Sequence, residues 1–220
     1  MGYENYIFSR VDWRERKTRS KNKNLEFYWR PNYSYDKGKT MIFTHIFVEH
    51  YDPPIKSGLY DLVYHPFSGS SQERANKLLE WALLTKDNFL TNQRIIYYGD
   101  DFTFRDAELM YNNVEIIMNQ VKSNDTLNSK IKLFYSTTDN YFNSLRQSNT
   151  TFPYNNDNDF FPFVDPKNLV WSGCFTSRPF LKGLVVNSEK YLSTFNRLYF
   201  EDLLDRRINN RMNNKYYFNL

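Results

Sequence analysis

Between Lys39 and Arg146 short apolar runs alternate with stretches of helical period, and this alternation restricts the fold more than any other feature. KTMIFTHIFV (Lys39 to Val48) reads as a buried strand, entered through the turn Asp36-Lys37-Gly38. Ser70 with Glu73 makes a capping box, and Ala75, Leu78, Leu79 and Ala82 follow it at helical spacing, predicting a helix from Ser70 to Phe89. RIIYY (Arg94 to Tyr98) is predicted as the next strand. Thr103 with Asp106 resembles a second capping box, and Ala107, Met110, Tyr111, Val114, Ile117, Met118 and Val121 form one helical stripe. KIKLFYST (Lys130 to Thr137) is predicted as a further strand and Asp139 to Arg146 as a helix. Strands alternating with helices imply an α/β fold: a parallel sheet with flanking helices and right-handed crossovers.

The N-terminal part adds a short strand at YIFS (Tyr6 to Ser9) and a polar, basic helix over Trp13 to Asn22. LEFYWR (Leu25 to Arg30) is ambiguous between strand and helix. After the proline-punctuated, aromatic NDFFPFVDP a helix is predicted from near Pro179 to about Leu204, with no strand signal beyond. The chain therefore reads as a partial α/β domain over 1–165, followed over 166–220 by the start of a helical domain with a basic tail.

Composition supports a packed protein: 40% of residues are hydrophobic and 25% charged, so disorder is not expected. The net charge of +4 sits largely in RERKTRSKNK (Arg14 to Lys23) and RRINNRMNNK (Arg206 to Lys215). Neither lies in a nucleic-acid-binding module, so solvated helix faces are expected and no nucleic-acid partner. The single cysteine, Cys174, excludes an internal disulfide and a cysteine-cluster metal site. Three sequons, at Asn32, Asn124 and Asn149, carry little weight in an Asn-rich chain. MGYENYIFSR lacks the apolar core of a signal peptide, and no run reaches transmembrane length.

In parallel α/β sheets functional groups sit just beyond the carboxyl ends of the strands. Three such ends deliver ionisable or polar groups: Arg10 after YIFS, Tyr51-Asp52 after MIFTHIFV, and Asp100-Asp101 after RIIYYG. A surface turn or helix cap explains any one of them; the three together point to a site.

The segment from Asp159 resembles the junction region of glycoside hydrolase family 38, the class II α-mannosidases. That family carries a D-F-F-x-Y-x-D run and then W-[ST]-G-x-[FY]-[FT]-[ST]-S-R-P. Here stand Asp159-Phe160-Phe161-Pro162-Phe163, Asp165, and Trp171-Ser172-Gly173-Cys174-Phe175-Thr176-Ser177-Arg178-Pro179. YYGDDFTF, MGYENYIFSRVDWRERK and THIFVEHYDPP are similar to three further family segments, in the same order. The resemblance extends to about residue 200. It implies an incomplete β/α barrel-like catalytic domain followed by the start of a three-helix-bundle-like domain, and a retaining hydrolase acting on α-mannosyl linkages of N-glycans or their breakdown products.

By the same resemblance Asp101 is the general acid/base, with Asp100 beside it raising its pKa by like-charge repulsion. Arg10 is the active-site arginine, Tyr51 and Asp52 contact the mannose, and Trp171 lines the sugar subsite. The family binds zinc through a His-x-Asp motif, a later aspartate that is also the nucleophile, and a distant histidine. Those motifs are expected before Met1 and after Leu220, so no metal ligand is assigned here, and the missing flanking parts are themselves possible partners. His45, His50 and His65 show no ligand spacing with an acid on a shared face. Cys174 replaces a residue that is usually aromatic, and LYDLVYHPF replaces a cysteine-containing segment. The 220 residues thus resemble the middle of the catalytic region: a truncated gene model, a piece of a split gene, or a degenerate paralogue. A signal sequence on the parent enzyme would place it in the lysosome, vacuole or Golgi lumen. The Gly99-Asp100-Asp101 form leans to the Golgi type and Val11-Asp12-Trp13 to the lysosomal type.

Overall fold

The computed structural model describes residues 3–216, with side chains described for 3–207. The side chains of most of the C-terminal basic cluster lie outside the described residues. Four strands form one sheet in the order β1-β3-β2-β4: β1 (Asn5–Phe8), β2 (Glu26–Arg30), β3 (Ile42–Ile46) and β4 (Tyr154–Asn156). Six helices accompany it in the same part of the chain: α1 (Trp13–Lys21), α2 (Tyr33–Asp36), α3 (Ser71–Thr85), α4 (Ala107–Ser123), α5 (Asp125–Lys130) and α6 (Thr138–Gln147); α7 (Gly173–Thr176) and α8 (Pro179–Tyr216) follow them in the sequence. The fold class is α/β, as expected.

The sheet is mixed rather than wholly parallel. β1 pairs parallel to β3 with Ile7 opposite His45, and β2 pairs parallel to β4 with Tyr28 opposite Tyr154. Between them β2 runs antiparallel to β3, with Tyr28 opposite Phe43. LEFYWR is thereby resolved as a strand. Its Tyr, Phe and Trp side chains suit a pleated surface packed on both sides.

Two expected strands form no ladder among the described residues. RIIYY and, after Lys130 closes α5, the rest of KIKLFYST line a cleft of about 630 Å³ instead of pairing. Their side chains still alternate. Ile95 packs beside Phe43 and Phe142, whereas Ile96 and Tyr98 pack with Leu62, Leu78 and Ile117. Neighbouring side chains facing different clusters suit an apolar segment; a strand also needs a neighbour for its N–H and C=O groups.

β3 has a core on each face. Phe43 meets Phe142, Leu145 and Phe152 on one side, and Ile46 meets Val11, Leu25, Phe27, Phe89 and Phe160 on the other. His45, on the Phe43 side, is also buried, as are Glu26 opposite it and Tyr141 of α6. The Tyr141 hydroxyl donates to Glu26 Oε1 and lies 3.0 Å from His45 Nδ1. Glu26 Oε2 has no hydrogen-bond partner among the described residues. Tyr141→Phe keeps the ring and removes the donor, so a buried acceptor loses its bond. The expected cost is about 1–3 kcal/mol, read as a lower urea midpoint with an unchanged slope.

The helix ends follow from their caps. The Asp12 carboxylate accepts from the Arg14 N–H at 2.7 Å, Glu15 stands in the first turn of α1, and Arg19 and Lys21 in the last. The basic face expected to be solvated is partly turned inward. Arg19 is buried, bonded to Glu15 and Asn155, with its guanidinium over the Phe27 ring at 4.5 Å. Ser70 caps α3 as predicted. The second box is replaced by a single cap: α4 begins after Asp106, whose Oδ1 accepts from Leu109, and Thr103 is used elsewhere.

Two compact units are present, 1–170 and 171–220. Residues 166–170 stay with the first unit because Val164 bridges to Val170 and Asn168 accepts from the Trp13 indole at 3.3 Å. The second unit is α7 and the long α8. No described helix is long and apolar enough to cross a membrane.

Candidate active site

β1 and β3 are parallel neighbours, so their carboxyl ends open on the same side of the sheet. Ser9-Arg10 leaves one and Phe47 to Asp52 leaves the other. α1 ties the two exits together. Arg16 donates through Nη2 to Ser9 O and through Nη1 to Glu49 O. Burial pushes its guanidinium down to about 10, with Glu49 opposing, so it remains a cation at neutral pH. Nothing in the spacing of RERKTR marks Arg16 as the residue that turns inward.

The third exit is the extended Arg94–Tyr98 segment, which ends at Gly99. Here φ is +155°, and a Cβ would meet a Phe104 ring carbon at 3.1 Å, so the turn requires glycine. The loop beyond is closed by its own polar groups. The Asp100 N–H donates to Thr103 Oγ1, and that hydroxyl donates back to Asp100 O, both at 2.8 Å. Phe102 and Phe104 take left-handed φ values of 62° and 61°.

The three exits meet. The Tyr51 hydroxyl donates to Asp101 Oδ1 at 3.0 Å. The Arg10 guanidinium lies 5.9 Å from the Tyr51 ring centre and 5.9 Å from that of Phe163. Burial first, and then the Asp101 carboxylate, raise the Tyr51 phenol above its ordinary pKa, with Arg10 opposing. Tyr51 therefore remains a neutral donor at neutral pH. Asp101 is exposed, whereas Tyr51 and Asp52 are half-buried. A solvent-facing carboxyl held by a phenol can exchange a proton with a bound group, which general acid/base chemistry requires.

Asp52 contacts His50, with Nδ1 to Oδ1 at 3.2 Å, a pairing not foreseen in the sequence. Trp171 belongs to the second unit and is 45% exposed. The site also contains a residue that sequence reasoning missed. Tyr64, in the LYDLVYHPF segment, donates to Asp100 Oδ2. Its only signal was that this segment departs from the family pattern.

No three described His, Cys, Asp or Glu side chains gather into a group able to hold a metal ion. His45 is engaged with Tyr141 and Glu26, and His50 with Asp52. The described residues therefore do not fit the zinc that the resemblance implies, and no catalytic step is assigned to one here.

Residues 1–166 match the sequence model of the glycosyl hydrolases family 38 N-terminal domain. The lysosomal alpha-mannosidase of Felis catus is 30% identical over 207 residues, covering 90% of this chain. An alpha-mannosidase of Arabidopsis thaliana is 30% identical over 207 residues, again 90% of this chain. The lysosomal alpha-mannosidase of Dictyostelium discoideum is 29% identical over 191 residues, 84% of this chain. The matches span 20%, 20% and 18% of those relatives. With the family model covering three quarters of its length, the chain belongs to glycoside hydrolase family 38, and its first 166 residues to the N-terminal domain of that family.

Proposed function

We propose that this chain carries the acid/base half of a retaining α-mannosidase site. Asp101 protonates the departing glycosidic oxygen and then takes a proton from the attacking water. Arg10, Tyr51, Asp52 and Asp100 hold the sugar and the acid loop. The substrate is a mannose-containing glycan, from N-glycans or their degradation products. The observation that carries this reading is the bond from Tyr51 to Asp101, with Arg10 alongside, assembled from three separate chain segments.

Retaining chemistry needs a second carboxyl about 5 Å from the first. The family's D-P-F-G nucleophile motif is not in this sequence, and its one His-x-Asp run, His50-Tyr51-Asp52, gathers no third ligand among the described residues. The family's zinc, when bound, orients the sugar hydroxyls. Completing the site requires catalytic parts not carried by these residues. The second unit is read as the start of the helical middle domain, and the names of the lysosomal relatives support a lysosomal or vacuolar parent enzyme.

The missing nucleophile motif also supports a second reading, a non-catalytic glycan-binding remnant. Both readings predict no turnover of 4-nitrophenyl α-mannoside by the 220-residue chain, with or without added zinc. Turnover abolished by Asp101→Asn would overturn that expectation. Both also predict weak binding of the iminosugar 1-deoxymannojirimycin, seen as NMR shifts at Tyr51 and Asp52. Asp52→Asn is expected to weaken it by about five- to tenfold, the loss of one charge-assisted hydrogen bond. No perturbation at those residues at saturating iminosugar would remove the sugar-site reading. Restored turnover on adding the flanking catalytic parts separates the enzyme from the remnant.

A further inference from the structure

The Asp100 carboxylate uses both its oxygens, and neither is bonded to Asp101's side chain in the described contacts. Oδ1 accepts from the Asp101 backbone N–H at 2.7 Å. Oδ2 accepts from the Tyr64 hydroxyl. A single carboxylate thus links the amide of Asp101 to a phenol 36 residues earlier.

Tyr64 stands on a firm base. It caps a 3₁₀ turn, Tyr60–Val63, in which Leu62 is fully buried. The carbonyl of Leu62 receives the Tyr98 hydroxyl and the Asn113 side-chain amide, both at 2.8 Å. The same Asn113 amide, almost fully buried on α4, also donates to His65 O at 2.8 Å. One asparagine therefore grips the chain on both sides of Tyr64. Asp61 is locked by Arg74 through two bonds of 2.8 and 2.7 Å. By contrast, the loop Tyr64 reaches is exposed at Asp101 and Phe102, and contains two non-glycine residues at positive φ. Beyond the Phe104 ring, which meets Tyr98 and Tyr111, the conformation of such a loop depends on its polar contacts.

We propose that Tyr64 is a positioning residue for the acid/base: by holding Asp100 it fixes the Asp101 amide, and with it the direction in which the Asp101 carboxyl faces Tyr51. The proposal rests on the reading of Asp101 as the acid/base. It assigns to Asp100 the task of a loop anchor. The negative charge of Asp100 also favours the neutral phenol, so Tyr64 titrates well above an ordinary tyrosine, the hydrogen bond being the largest cause.

The experiment uses the full chain, labelled for NMR. Tyr64→Phe is expected to move the Asp101 amide signal upfield and to speed its exchange with solvent by at least about tenfold, the loss of one hydrogen bond to a charged group. Tyr35→Phe, a control at an exposed tyrosine of α2, leaves both unchanged. An Asp101 amide unaffected by Tyr64→Phe overturns the proposal. Asp100→Ala is the second variant. It removes the acceptor and is expected to bring the Tyr64 ring titration back toward the ordinary tyrosine value; a Tyr64 that already titrates there in the parent chain also overturns the proposal. Addition of 1-deoxymannojirimycin keeps the two ideas apart. A Tyr64-dependent Asp101 amide with no iminosugar response leaves the clamp standing and removes the sugar site.

Discussion

Phe142→Ala is expected to destabilise the first unit by about 3–5 kcal/mol, the range for a large aromatic removed from a packed core. Phe142 is fully buried, and its ring meets Phe43 edge-on at 5.2 Å. Leu145, Phe152 and Tyr141 complete the cluster. This is where α6 is fastened to β3, so the cavity opens at the contact joining helix to sheet. Domains have total stabilities of about 5–15 kcal/mol, so the variant should lose much of its margin. Urea unfolding followed by circular dichroism and tryptophan fluorescence measures it. A change under about 1 kcal/mol would mean that α6 is not seated on the sheet as described.

Raising the pH above 10 is expected to unfold the first unit before ordinary backbone hydrolysis matters. Burial pushes the Tyr97 and Tyr98 phenols each up to about 12, and burial, with Glu26 adding to it, raises Tyr141 well above its ordinary value. Tyr98 donates to the Leu62 carbonyl and Tyr141 to Glu26, so ionisation also removes two donors. Below pH 10 folded and unfolded chains are both protonated at these groups, and their contribution is fully present. Between pH 10 and about 12 the unfolded chain releases protons that the folded chain keeps, so stability falls with rising pH. The measurement is tyrosinate absorbance against helical ellipticity along one titration. The expected result is that part of the tyrosinate signal appears together with the loss of ellipticity. Tyrosines that all ionise at their ordinary pKa, with ellipticity intact, would contradict the burial of this group.

Much of the site was legible because its parts sit at fixed places relative to local signals. Asp101 follows a glycine at the end of an apolar run, and Tyr51-Asp52 follows the strongest strand. Those signals are short-range and survive in one dimension. Tyr64 and Arg16 were not legible, because each acts on backbone or carboxylate groups brought near by the fold. Arg16 looks like one more charge in a basic helix until β1 and β3 end beside it. His45 shows no ligand spacing in the sequence, and Glu26 and Tyr141 reach it only through the sheet and α6.

The amino-acid order alone determined the main helices, the cap at Ser70 and the placement of the three polar exits, because each depends on backbone geometry within a few residues. Tertiary structure alone decided that β2 lies antiparallel between β3 and β4, that RIIYY and KIKLFYST stand apart from the ladder, and that Asp101 meets Tyr51 rather than water alone. Those outcomes depend on which segment lies alongside which, and a neighbour distant in sequence leaves no mark on the residues it will touch.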